Sequence, residues 1–91
     1  MRAIYLSDLH VAACALRKVS ATARPAAMAT AVAQAEAADQ YRKRFRKAHP
    51  RFGSGTLAGA FGNVQEPPRC DRAYLEALGV VIATLRDREH H

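Results

Sequence analysis

A chain of 91 residues is one domain's worth and can bury a modest core without help. Hydrophobic residues make up 49% of it and aromatics only 7%; alanine inflates the first figure, which points away from sheets and toward closely packed helices, while no apolar run of about 18 residues exists to form a transmembrane helix. The net charge is +6 and its place matters more than its size: Arg42, Lys43, Arg44, Arg46, Lys47 and Arg51 fall within ten positions with no acid among them, and the remaining eight basic residues balance the eight acidic ones.

The chain opens on a short apolar lead-in, Ala3-Ile4-Tyr5-Leu6, too brief for the core of a signal peptide. Ser7 or Asp8 then offers a side-chain oxygen to the unpaired amides of a first turn. Leu9, Ala12, Ala13 and Leu16 recur at helical spacing, which predicts a helix from Asp8 to Lys18. Ser20 to Thr22 break it. Thr22, with Ser20 as competitor, caps a second helix that carries Pro25 near its start, where a missing N–H is harmless. This helix is expected to run to about Lys47, about 25 residues or roughly 37 Å. Its apolar stripe is Met28, Val32, Ala35, Ala38, Tyr41 and Phe45. Pro50 disfavours helix at His49, so the end should come by Ala48.

Arg51 to Gly55 reads as a loop, and Ser54 or Thr56 caps a short third helix over 57–61. Asn63 to Cys70 is a connection stiffened by Pro67-Pro68. Asp71 is the clearest N-cap in the chain, and the last helix should run from Arg72 to about Arg88. Leu75, Leu78, Ile82 and Leu85 form its expected inner face, flanked by Tyr74 and Val81. Gly79 sits in its middle at a cost of about 1 kcal/mol against Ala, which implies a neighbouring helix passing close. The expected fold is all-α: a single helical domain over residues 1–91, with three main helices and one short one. His90 and His91 read equally as native residues or as the stub of an affinity tag and take no part in the argument.

The stretch from Tyr41 to Phe52 interleaves cations with aromatics. Phosphate backbones favour such patches because each contact releases counterions, and an exposed ring stacks on unpaired bases. The same cations also stabilise a helix C-terminus through its dipole. Tyr41 and Phe45 belong to the apolar stripe, which leaves Phe52 for stacking. A helix-turn-helix is disfavoured, because the segment after the turn is short, glycine-rich and uncharged.

His10 and Cys14 stand four apart on the first helix, and His49 and Cys70 would complete a set of four zinc-type ligands. There is no Cys-x-x-Cys or His-Glu-x-x-His spacing, so no metal or cofactor is expected. Glu36, Asp39 and His49 are the obvious acid–base candidates, yet the two acids read as ordinary partners of Arg and Lys along a helix. Gly53-Ser54-Gly55 follows no strand and is not a phosphate-binding loop of known type. Neither an enzyme nor a small-molecule substrate is expected.

The run from Ala35 through Glu36, Asp39 and Tyr41 into the basic segment, followed by Ala48-His49-Pro50-Arg51-Phe52-Gly53-Ser54-Gly55-Thr56-Leu57, resembles a family of small uncharacterised alphaproteobacterial proteins, a domain of unknown function. The likeness covers the middle third of the chain and implies no activity. It does imply that Glu36, Asp39, Tyr41, His49, Gly53 and Gly55 form one unit, a folded-back junction at the end of the long helix. The expected function is a cytoplasmic, non-enzymatic interaction module that binds a protein partner, or a second copy of itself, through Arg42, Lys43, Arg44, Arg46, Lys47, Arg51 and Phe52. The alternative is nucleic-acid binding through the same residues.

Overall fold

The computed structural model describes residues 1–89, so His90 and His91 lie outside it. The fold is all-α. Helix α1 spans Leu6–Arg17, a short 3-10 turn covers Ala21–Ala23, and α2 spans Arg24–Phe45; α3 covers Leu57–Phe61 and α4 covers Arg72–Glu89. The radius of gyration, 12.9 Å, is close to the roughly 12 Å expected of a packed chain of this length. No helix among the described residues is long and apolar enough to cross a membrane.

Helix α1 starts two residues earlier than the sequence predicts. Asp8 does not cap it from outside. It sits in the first turn and reaches back, so that its Oδ2 accepts from the Tyr5 backbone N–H at 2.8 Å, the return half of a capping box. Its Oδ1 accepts from the Ala58 N–H of α3 at 3.0 Å. One buried carboxylate therefore ties the start of α1 to the start of α3.

The far end of α1 is closed by an arginine from the next helix. The Arg24 guanidinium, buried, donates from Nε to the carbonyls of Leu16 at 2.9 Å and Val19 at 3.0 Å, and from Nη2 to that of Arg17 at 3.2 Å. The carbonyls of Leu16 and Arg17 are among those that a helix end leaves without intrahelical partners, and that of Val19 belongs to the turn that follows. Neither Thr22 nor Ser20 caps α2, which begins at Arg24 with no side-chain cap. Pro25 occupies its first turn as expected.

The two downstream caps follow the sequence. Thr56 Oγ1 accepts from Gly59 N–H at 3.0 Å, and Asp71 Oδ1 accepts from Tyr74 N–H at 2.8 Å. Asp71 is also bridged by Arg17 of α1, whose Nε donates at 2.9 and 3.1 Å. The cap of α4 is thus also a strut between α4 and α1.

The core gathers Ala12 and Leu16 of α1, Met28, Ala31 and Val32 of α2, Leu57 of α3, and Ala77 and Val81 of α4. Helix α1 packs mainly on α4 and α3, and α2 on α3 and α4; α1 and α2 touch each other little. The short α3 fills the space between them with the fully buried Leu57.

The inner face of α4 differs from the expected one. Tyr74, Ala77 and Val81 are buried, whereas Leu75 is 55% and Ile82 41% exposed. Close packing decides this: Ala12 and Ala13 of α1 and Ala77 of α4 are all fully buried, and methyl-sized side chains let two helix axes approach where leucines would hold them apart. Gly79 also has a different role from the one inferred. It is exposed, and a Cβ placed there would meet nothing within 4 Å.

Gly79→Ala is therefore expected to stabilise the protein by about 1 kcal/mol, since alanine gains helix propensity and meets no obstacle. A thermal melt checks this, and an unchanged or lower Tm would mean that the outer face of α4 is covered.

Candidate functional site

The basic segment begins inside the last turns of α2. Asp39, one turn earlier and buried, accepts from Arg42 Nη2 at 2.8 Å and lies 3.4 Å from Lys43 Nζ. Its second oxygen also lies 3.4 Å from the Met1 ammonium. Arg42, then Lys43 and Met1, hold this carboxyl at about 2, below the usual 3.8, against the opposing effect of burial. Asp39 thus locks two of the six clustered cations, and among the described residues Arg44, Arg46, Lys47 and Arg51 have no carboxylate partner.

Helix α2 ends at Phe45, earlier than Pro50 alone requires, because Arg46 turns into the left-handed region at φ 57°, ψ 34°. Its N–H still donates to the Arg42 carbonyl at 2.7 Å, so the turn is closed by backbone alone. The chain then folds back. His49 and Gly53 exchange backbone bonds of 2.8 and 3.3 Å. The Nδ1 of His49 accepts from the N–H groups of Arg51 at 3.0 Å and Phe52 at 3.1 Å, which fixes the neutral ring's proton on Nε2. The ring stacks on Phe52, with centroids 4.7 Å apart and planes at 9°, and meets Tyr41 edge-on at 4.9 Å. Tyr41 in turn packs on Phe45 at 4.6 Å.

Gly55 closes the junction. It is buried at φ +96°, and a Cβ there would fall 2.7 Å from both Cα and Cβ of Asp39. Its carbonyl accepts from the Arg2 N–H at 2.9 Å. The N-terminal arm is thereby laid along the end of α2. Between arm, helix end and loop runs a groove of about 470 Å³ lined by Arg2, Arg42, Lys43, Arg46, Lys47, Ala48 and Ser54.

Four of the seven residues named from the sequence as a binding surface, Arg42, Lys43, Arg46 and Lys47, share this groove. Three do not. The Arg44 guanidinium sits over the Phe45 ring at 5.3 Å, Arg51 is exposed in the turn, and Phe52 is half-buried with one face of its ring stacked on His49. Arg2 and Ser54 also line the groove and are not among the residues named as a binding surface. Nothing in the composition marks Arg2, because it reaches the groove through the backbone bond to Gly55.

The junction unites Asp39, Tyr41, His49, Gly53 and Gly55. Glu36 stands apart: its Oε1 accepts from Arg88 Nε of α4 at 3.1 Å, so it joins α2 to α4 instead.

The four candidate metal ligands are not gathered. His49 is in the junction and Cys70 is exposed. His10 and Cys14 do meet, Nε2 to Sγ at 3.6 Å, but His10 Nδ1 pairs with the Tyr74 hydroxyl at 2.8 Å and Nε2 lies 3.3 Å from Glu66. Burial, then Glu66, raises the Cys14 thiol above its ordinary value, which keeps it protonated and a poor nucleophile. Among the described residues no group of three or more His, Cys, Asp or Glu side chains is arranged to hold a metal ion.

Compared with known proteins, residues 2–85 match the model of a family described as a domain of unknown function (DUF7742). No curated protein and no solved structure matches the chain.

Gly55→Ala is expected to destabilise the protein by about 3 kcal/mol or more, and by more than Gly62→Ala does, because it meets both positive-φ strain and the backbone of Asp39. Gly62→Ala, at φ 69° and ψ −149° but with open space around it, should cost only the strain of a region that glycine alone enters freely, about 1–3 kcal/mol. Equal losses in denaturant titrations would mean that Gly55 does not press on Asp39. The acid limb gives a second test. Asp71, like Asp39, is held at about 2, chiefly by Arg17 and then by the Tyr74 amide. Both carboxylates have folded values below their unfolded ones, so their contribution is complete above about pH 4 and fades as pH falls toward 2. Thermal melts should show Tm falling across that window, and a variant carrying Asp39→Asn and Asp71→Asn should show a flatter fall. A parallel fall in both proteins would contradict the assignment.

Proposed function

The chain belongs to the DUF7742 family, a membership that brings no activity with it, and we propose that it is a small non-enzymatic binding module that takes up an acidic segment of a partner protein at the basic end of α2. The observation that carries this reading is the groove at the folded-back junction, where Arg2, Arg46 and Lys47 join Arg42 and Lys43 and Asp39 is the one carboxylate paired with these cations among the described residues. Opposite charge steers a partner to such a surface and sets its register. Two features support the non-enzymatic part. The His49 Nδ1 lone pair is committed to two backbone amides, and the Cys14 thiol is buried, with burial pushing its pKa up.

The same proposal includes a cytoplasmic setting in an alphaproteobacterium. The two free cysteines suit a reducing compartment, and the resemblance of the middle third points to that bacterial group. A second copy of the chain is the other protein partner this reading admits, with the exposed Leu75 and Ile82 of α4 as its contact.

One observation favours nucleic acid as the second reading. Phe45 is 51% exposed with Arg44 over its ring, a pair that suits stacking on an unpaired base. Fluorescence anisotropy separates the two. A labelled oligoglutamate peptide should bind the protein more tightly than single- or double-stranded oligonucleotides do. A variant carrying Arg46→Glu and Lys47→Glu should lose at least about tenfold in peptide affinity, about 1.4 kcal/mol. Tighter binding of an oligonucleotide, with affinity falling steeply as salt rises, would replace the protein reading with the nucleic-acid one.

A further inference from the structure

We infer that the groove is a phosphate site: it takes a phosphorylated side chain on the partner's acidic segment, with Arg46 as its anchor. This rests on the binding-module reading above and narrows its ligand.

The argument starts from the backbone of Arg46. It is the one described non-glycine residue with a positive φ, at the position just past a helix where glycine is the unstrained choice. The turn does not need this side chain, since the backbone N–H alone closes it on Arg42. Nor does the guanidinium serve a partner within the fold, for it has no ion pair among the described residues, where Asp39 pairs only with Arg42, Lys43 and Met1. An arginine held in a strained conformation without an internal partner is what a binding residue looks like, because strain persists where function requires the side chain.

Charge then selects the ligand. With Arg42 and Lys43 answered by Asp39, the groove retains Arg2, Arg46 and Lys47. A single carboxylate brings one negative charge. A phosphomonoester brings nearly two, with three strong acceptor oxygens. Guanidinium groups match those oxygens two at a time, and Lys47 adds a point charge. Ser54, also in the lining, supplies a hydroxyl donor.

The lining contains no aromatic residue. Phe52 is stacked on His49 and Tyr41 lies against both His49 and Phe45, so the groove offers a base no platform. This favours a phosphate carried on a peptide over one in a nucleic acid.

The test is calorimetric titration of the full chain with a synthetic acidic peptide containing one phosphoserine, with its serine twin, and with an oligonucleotide, alongside thermal melts. The phosphopeptide should bind at least about tenfold more tightly than its twin. Arg46→Gly should abolish that advantage while leaving Tm unchanged or raised, since glycine relieves the turn. Arg46→Lys, which keeps the charge but loses the fork, should give a partial loss. Equal affinity for the two peptides would overturn the phosphate site and leave the acidic-segment reading standing. A tighter oligonucleotide would overturn both, as would no binding by any probe. If Arg46→Gly instead lowered Tm and left the phosphopeptide's advantage intact, Arg46 would be a helix-end cation and the inference would fall.

Discussion

The pairing of Asp39 with its surrounding cations is the interaction on which the site depends. Four neighbours meet at this residue: Arg42, Lys43 and Met1 at its oxygens, and Gly55 against its backbone. Burying a carboxylate is costly unless its charge is matched and its oxygens are bonded, and here the cations of the helix end supply both. The same contact sets the shape of the surface. It fixes the two helical cations in place, lets the glycine loop close down on α2, and so leaves the later cations around an open groove. Without that buried charge the segment would be a frayed, self-repelling helix end.

Two other acidic residues do comparable work in the scaffold. Asp8 joins α1 to α3, and Asp71 joins α1 to α4. Each serves a helix start and a tertiary contact at once. This economy suits a chain whose core is built from alanine, valine and a few larger side chains, where apolar burial per residue is small and polar contacts between elements carry more of the specificity.

Some local signals are readable in the sequence, although Ser20 and Thr22 offer caps that the fold does not use; the long-range ones are not. Thr56 and Asp71 were visible as caps because capping is settled within one turn. The clustering of cations was visible because it is a fact of composition. The inner face of α4 was misread because hydrophobicity was taken as the guide to burial, whereas the spacing between α1 and α4 is set by Ala12, Ala13 and Ala77 and turns Leu75 and Ile82 outward. No local pattern marks Arg24 as the residue that closes α1, and only the fold brings the carbonyls of Leu16, Arg17 and Val19 within its reach. The resemblance groups Glu36 with the junction, but its partner, Arg88, is 52 residues away. Arg2 became part of the groove through a backbone bond that no side-chain pattern announces.

The alanine seam between α1 and α4 has a mechanical consequence. Helices that meet through methyl groups have no flexible side chains to absorb an added atom, so any extra bulk must move a whole helix. Because α1 follows directly on the arm that carries Arg2, such a displacement would be levered into the spacing between Arg2 and the cations of α2. The geometry of the charged groove is therefore gauged by the smallest side chains of the protein, in a buried seam that contributes nothing to the groove's lining.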